Sequence, residues 1–189
     1  MHVDSKLIKR CIKNDERAQN QLFKLCFPML MGICMRYHNN KNDALNSLNK
    51  GFYRILTKLD QHDQTKNFEG WAKRVMVTTL LNELKQSKKW NEHISTVDFD
   101  FLNSQSSLEF DHINEQIDSD AILDLIHKLP EKEKEIINLY AIDGYNHKEI
   151  SKLLDIPEGT SKWLLSNARK RLAQKMSNLI RTGVNSILL

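Results

Sequence analysis

The stretch Asn146-His147-Lys148-Glu149-Ile150-Ser151-Lys152-Leu153-Leu154-Asp155-Ile156-Pro157-Glu158-Gly159-Thr160-Ser161-Lys162-Trp163-Leu164-Leu165 decides the fold. Asn146 followed by Glu149 has the spacing of a capping box, in which each side chain satisfies a backbone N–H at a helix start. Ile150, Leu153 and Leu154 then recur at helical intervals. Residues 155–159, with Pro157 and Gly159, read as a short turn. Beyond it, Ser161, Leu165, Ala168, Leu172 and Met176 share one face of a long helix, and Lys162, Trp163, Ser166, Asn167 and Lys170 share the opposite face. Two helices across a short Gly-containing turn, the second one basic, have the helix-turn-helix layout.

Working outward, Asp120 is placed as the N-cap of a helix over 121–129. Pro130 ends that helix and opens the next, over 131–142, which Gly144 closes. At the other end of the chain, Leu7, Ile8, Cys11 and Ile12 define a short first helix that stops at Asn14-Asp15. A second helix runs from Glu16 to Tyr37 through Pro28, whose ring is expected to kink it. After a turn at 39–42, with Asn42 as N-cap, Leu45, Leu48, Phe52, Ile55, Leu56 and Leu59 mark a third helix. Residues 60–67 are polar and irregular. Phe68, Trp71, Val75, Leu81 and Leu84 mark a fourth helix whose other face carries Lys73, Arg74, Lys85 and Lys88. Residues 90–117 hold no sustained period.

The expected fold is all-α: two small helical domains, 1–89 and 119–178, joined by an acidic linker, 90–118, with a tail at 179–189. Net charge follows the same division, at +9 over 1–89, −8 over 90–120 and +3 over 121–189. Two basic blocks flanking an acidic one suit a polyanion touched in two places.

Composition excludes other classes. Six Gly and three Pro in 189 residues leave too few turns for a sandwich or barrel. The longest nearly apolar run, 26–35, falls short of the roughly 20 residues a membrane span needs. Residues 1–6 lack the pattern of a secretory signal, so a soluble cytoplasmic protein is expected. Cys11, Cys26 and Cys34 form no Cys-x-x-Cys pair and read as small buried apolar groups in a reducing compartment. The seven His are scattered. No metal, no cofactor and no catalytic constellation is expected, and hence no enzyme.

The order Leu129-Pro130, Gly144-Tyr145, Lys148-Glu149-Ile150, Glu158-Gly159-Thr160 and Ala168-Arg169 resembles the promoter −35 module of bacterial RNA polymerase sigma factors, above all the small extracytoplasmic-function (ECF) group. The N-terminal module agrees: residues 43–52 stand where that family has its core-polymerase-binding helix. Phe68-x-Gly70-Trp71-Ala72-x-Arg74-Val75 resembles its −10 helix. The resemblance implies an initiation subunit whose partners are core RNA polymerase and promoter DNA, with an anti-sigma factor or activating protein as a further candidate. For the −35 element it implies Lys162 and Asn167 on bases, with Thr160, Arg169 and Arg171 on phosphates and Ser166 and Lys170 on the same face. Trp163 either meets a thymine methyl or packs on a neighbour.

For the −10 element it implies a loop, with Asp63, Thr65 and Asn67, that returns hydrogen bonds to an unstacked base. Phe68 and Trp71 supply rings there, with core anchoring the other role for Trp71. Arg74, Thr78, Lys85 and Lys88 follow on the helix. Asp43, Asn46, Asn49, Lys50 and Phe52 fall on the polymerase-binding helix. The chain departs from the family there, with Leu45, Asn46, Asn49 and Lys50 where acids and a Gln are usual, and with Thr78 in place of Asn. The acidic linker reads either as threading a basic polymerase cleft or as a solvated spacer. The alternatives are a stand-alone helix-turn-helix regulator, which needs a dimer interface or sensor in its N-terminal part, and a sigma-like adaptor or decoy.

Overall fold

The computed structural model describes residues 3–63, 65–86 and 119–187; in the last of these blocks side chains are described from Ala121 to Ser177. Among these residues there are eight α-helices: α1 (Ser5–Ile12), α2 (Glu16–Tyr37), α3 (Lys41–Thr57), α4 (Phe68–Gln86), α5 (Ser119–His127), α6 (Glu131–Ile137), α7 (His147–Leu154) and α8 (Glu158–Ile187). The expected linker, and Lys88 with it, lies outside the described residues.

Short polar side chains set the helix starts. Asp4 accepts from the Lys6 N–H at 3.1 Å and Asp15 from the Ala18 N–H at 3.1 Å. α3 begins two residues earlier than expected: Asn40, not Asn42, is the N-cap, and its Oδ1 accepts from the Asp43 N–H at 2.8 Å. α5 already contains Ser119 and Asp120, so Asp120 is not its N-cap. α2 continues through Pro28. The expected helix over 131–142 divides: α6 ends at Ile137, and Asn138–Ile142 form a wider π-helical turn. Asp143 N–H donates to Asn138 O at 2.9 Å and Tyr145 N–H to Leu139 O at 2.9 Å, with Gly144 at φ +76° completing the reversal.

α1 to α4 form one bundle around Leu22, Leu30, Leu48, Ile55, Met76 and Leu80, all fully buried. Cys11, Cys26 and Cys34 lie in this bundle as buried free thiols. Gly51 lets α3 approach α4, since a Cβ there would stand 2.0 Å from Met76 Sδ. α5 to α8 close over Ile136, Leu139, Ile150 and Leu154. The two halves touch, α2 against α5 and α4 against α7, within one continuous core.

Candidate nucleic-acid interface

The α7–α8 pair is built from local chemistry. Asn146 and Glu149 complete the capping box, with Asn146 Oδ1 accepting from the Glu149 N–H and Glu149 Oε2 from the Asn146 N–H, each at 3.0 Å. Asp155 takes a left-handed conformation (φ 56°) at the end of α7. Ser151 Oγ donates to Ile156 O at 2.6 Å, which fixes the turn. The His147 ring then reaches α8, its Nδ1 2.9 Å from Ser161 Oγ. Leu164, Leu165, Ala168 and Leu172 bury the inner face of α8.

The outer face is basic. Lys162, Ser166, Arg169 and Lys170 line one cleft of about 190 Å³ with Tyr140, His147 and Leu165. Tyr140 stacks on His147 at 4.7 Å, and the Arg169 guanidinium lies over Tyr140 at 5.6 Å. The sequence reading missed Tyr140 and His147 because they come from other elements and share no period with α8. Burial, then the Lys162 and Arg169 cations, hold the His147 pKa below the ordinary imidazole value, against a weaker pull from Glu158. Thr160 and Asn167 are half-buried, and Trp163 packs partly against the core. Arg171 is engaged elsewhere, its Nε donating at 3.1 Å to the buried Glu133 carboxylate.

In the N-terminal module the loop before α4 is shaped by its own polar groups. Asp63 Oδ1 accepts from the Thr65 N–H at 3.0 Å and its hydroxyl at 2.7 Å, which holds the Asp63 carboxyl below the usual range. Asn67 Oδ1 accepts from the Glu69 N–H at 2.9 Å, at the start of α4. Phe68 is buried and Trp71 half-buried, and both rings meet the buried His62, at 5.4 and 5.0 Å. Neither nitrogen of His62 has a hydrogen-bond partner. Phe68 is thus turned inward rather than open to a base. Thr78 returns its hydroxyl to Arg74 O at 2.8 Å. Lys85 is half-buried, near Lys132 and Glu135 of α6. Arg74 pairs with Glu149 at 3.2 Å and lies over the Tyr145 ring at 5.8 Å.

On α3, Asp43, Asn46, Asn49 and Lys50 are exposed. Phe52 is not, because it meets Phe23 edge-on at 5.0 Å inside the bundle, so it serves packing rather than the surface. Lys50 Nζ lies 3.1 Å from Glu83 of α4. Glu83 also accepts from Ser47 Oγ at 2.6 Å, and Ser47 meets His38 Nε2 at 2.8 Å. Lys50 therefore presents a compensated charge. Beside it a groove of about 530 Å³ runs past Asn49, Tyr53, Arg54 and Gln86, with Tyr53 69% exposed. Among the described residues no cluster of potential metal ligands occurs, and no helix is long and apolar enough to cross a membrane.

The fold and its basic faces define a two-module helical DNA-binding protein. The family description "Sigma-70 region 2" matches residues 22–90 and "Sigma-70, region 4" matches residues 119–172. The chain is 26% identical over 185 residues to the ECF RNA polymerase sigma-E factor of Haemophilus influenzae, covering 94% of this chain and 97% of that one. It is 24% identical over 184 residues to the ECF RNA polymerase sigma factor SigW of Bacillus subtilis, covering 92% and 97%. Among solved structures it resembles the sigma factor RpoE of Bartonella quintana in complex with the anti-sigma factor NepR, with TM-score 0.54, 20% identity, and 84% and 96% of the two chains covered. The chain belongs to the sigma-70 family, in its ECF group. As a sigma factor it directs promoter recognition and transcription initiation.

Proposed function

We propose that α8 enters the major groove of the −35 element while the loop 60–67 and α4 serve the −10 element, with core RNA polymerase held on the exposed face of α3. The observation that carries this reading is the cleft on α8, where Lys162, Ser166, Arg169 and Lys170 converge beside Tyr140 and His147. Lys162 is exposed and can donate to guanine O6 or N7, and Asn167 can pair with adenine. Arg169 and Lys170 hold phosphates, which sets register and salt dependence. Thr160 and Ser166 add neutral donors on the same face. The −10 loop works as a preformed frame: Asp63 and Asn67 fix its backbone, and the His62–Phe68–Trp71 cluster supports it from beneath, so that the loop's own polar groups receive an extruded base.

The α3 surface binds polymerase through amides and Tyr53 more than through carboxylates, with Lys50 neutralised by Glu83. RNA synthesis belongs to the polymerase; this chain supplies no catalytic residue and works in the cytoplasm. An anti-sigma protein, as in the RpoE–NepR complex, is a further partner. A promoter-library selection on the holoenzyme tests the −35 assignment. Lys162→Ala and Asn167→Ala each relax preference at one or two base positions, and unchanged preferences in both would remove α8 from base readout.

A further inference from the structure

We propose that His147 is a DNA-contacting residue outside α8, one that takes up a proton as a backbone phosphate of the −35 element enters the cleft beside it. The inference rests on the placement of α8 against the −35 duplex above. At about 190 Å³ the cleft is smaller than the roughly 300–1,000 Å³ of small-molecule pockets, and it suits a compact anion. Lys162, Arg169 and Lys170 line it, and among the described residues no carboxylate does. His147 reaches it from α7. Its ring stacks on Tyr140 at 4.7 Å with 26° between the planes, and the Arg169 guanidinium lies over the same Tyr140 ring at 5.6 Å. Nδ1 is committed to Ser161 Oγ at 2.9 Å, which leaves Nε2 for an incoming acceptor.

In the free chain burial disfavours the imidazolium first, Lys162 and Arg169 add repulsion, and Glu158 offsets only part of it. A DNA phosphate reverses that balance. It is anionic at every working pH, and once seated among Lys162, Arg169 and Lys170 it cancels the field that keeps the proton off. It also accepts from Nε2–H in a charge-assisted hydrogen bond, and the Tyr140 ring face favours the cation further. Ser161 is no obstacle: its hydroxyl donates to a neutral Nδ1 or accepts from Nδ1–H, so the contact between α7 and α8 survives protonation. The bound form therefore keeps His147 protonated to a higher pH than the free form does. Between those two limits binding draws one proton from solvent, and affinity rises as pH falls. No other described histidine lines this cleft, so the linkage belongs to His147.

The test uses holoenzyme, the full chain with core RNA polymerase, on a promoter fragment from the library selection and on the same fragment with its −35 element scrambled. Affinities are titrated from pH 8 to pH 6 at one salt concentration for wild type, His147→Gln and His147→Lys. Gln keeps a hydrogen-bonding head for Ser161 without titrating, and Lys is charged throughout. On the intact element the affinity of wild type relative to His147→Gln should rise about threefold or more over that range, within the one-proton limit of about tenfold per pH unit. His147→Lys should show no such rise relative to His147→Gln. Should a variant fail to fold, wild-type calorimetry at pH 6.5 in two buffers of different ionisation enthalpy carries the test. The heat that depends on the −35 element should differ between the buffers, as proton uptake requires. Parallel pH profiles for wild type and His147→Gln, or equal heats in the two buffers, would overturn the inference while leaving α8 on the −35 element. Wild-type affinity indifferent to scrambling would instead overturn the α8 reading and this inference with it.

Discussion

His147 holds Ser161: Nδ1 of the first residue of α7 lies 2.9 Å from the hydroxyl in the first turn of α8. The angle between the two helices, and so the aim of Lys162 and Asn167, depends on this contact as well as on the apolar seam. His147→Ala should weaken binding to a −35 duplex by about 1 kcal/mol, with no change in which bases are preferred. Protonation adds a cation beside Lys162 and Arg169, so module stability should fall as pH drops below about 6.5 in wild type and less so in His147→Gln. Thermal melts between pH 5 and 8 check the sign.

Glu135 of α6 is fully buried, with Lys132 Nζ at 3.9 Å and both carboxylate oxygens lacking a hydrogen bond. Burial outweighs Lys132, Lys134 and Lys85 and raises its pKa from 4.5 to about 8. The folded chain then binds more protons than the unfolded one between those values, so stability is highest at the acid end of the window and declines as pH rises. Glu135→Gln, which resembles the protonated acid, should melt about 4 °C or more above wild type at pH 8.5 and lose that advantage near pH 5. A constant difference across the range would contradict this assignment.

The close approach of α3 and α4 gives a coupled pair. Gly51→Ala places a Cβ against Met76 Sδ in a filled core, and the displaced thioether should cost about 1–3 kcal/mol despite the better helix propensity of Ala. Met76→Ala in the same chain should recover part of that loss. Gly32→Ala meets nothing within 4 Å and should stabilise α2 by about 0.5–1 kcal/mol. Chemical denaturation of the three variants and the wild type provides the comparison.

The helical content and the α7–α8 unit were legible because their signals are local: a capping box spans four residues, and an apolar face repeats within two turns. Placing the first N-cap of α3 at Asn42 rather than Asn40 failed for a related reason, since several adjacent Asn residues can each cap and only the chain path selects one. Helical spacing put Phe52 and Phe68 on marked positions without saying that both rings turn inward. The π-helical turn at Asn138–Ile142 has no periodic signature, and through it Asp143 meets Arg36, 107 residues away in sequence. Likewise Lys50 stands where the family usually has an acid or a Gln, and only the packing of α3 on α4 puts Glu83 beside it to compensate its charge. Charge partners drawn from separate elements are invisible to a reading along the chain.

Phe68→Ala opens the floor beneath the −10 loop and should impair promoter melting more than duplex binding. Permanganate reactivity on linear and pre-melted templates separates the two steps. A much smaller deficit on the pre-melted template is expected; equal deficits would place Phe68 in packing alone.

Run-off transcription with purified core RNA polymerase, with and without this chain, tests the central claim most directly. Promoter fragments from the source genome serve as templates. Discrete start sites should appear only with the chain present and should vanish when either the −35 or the −10 element is scrambled. Templates bound by the chain alone, with no chain-dependent transcript from any promoter, would contradict the sigma-factor account and favour a stand-alone regulator.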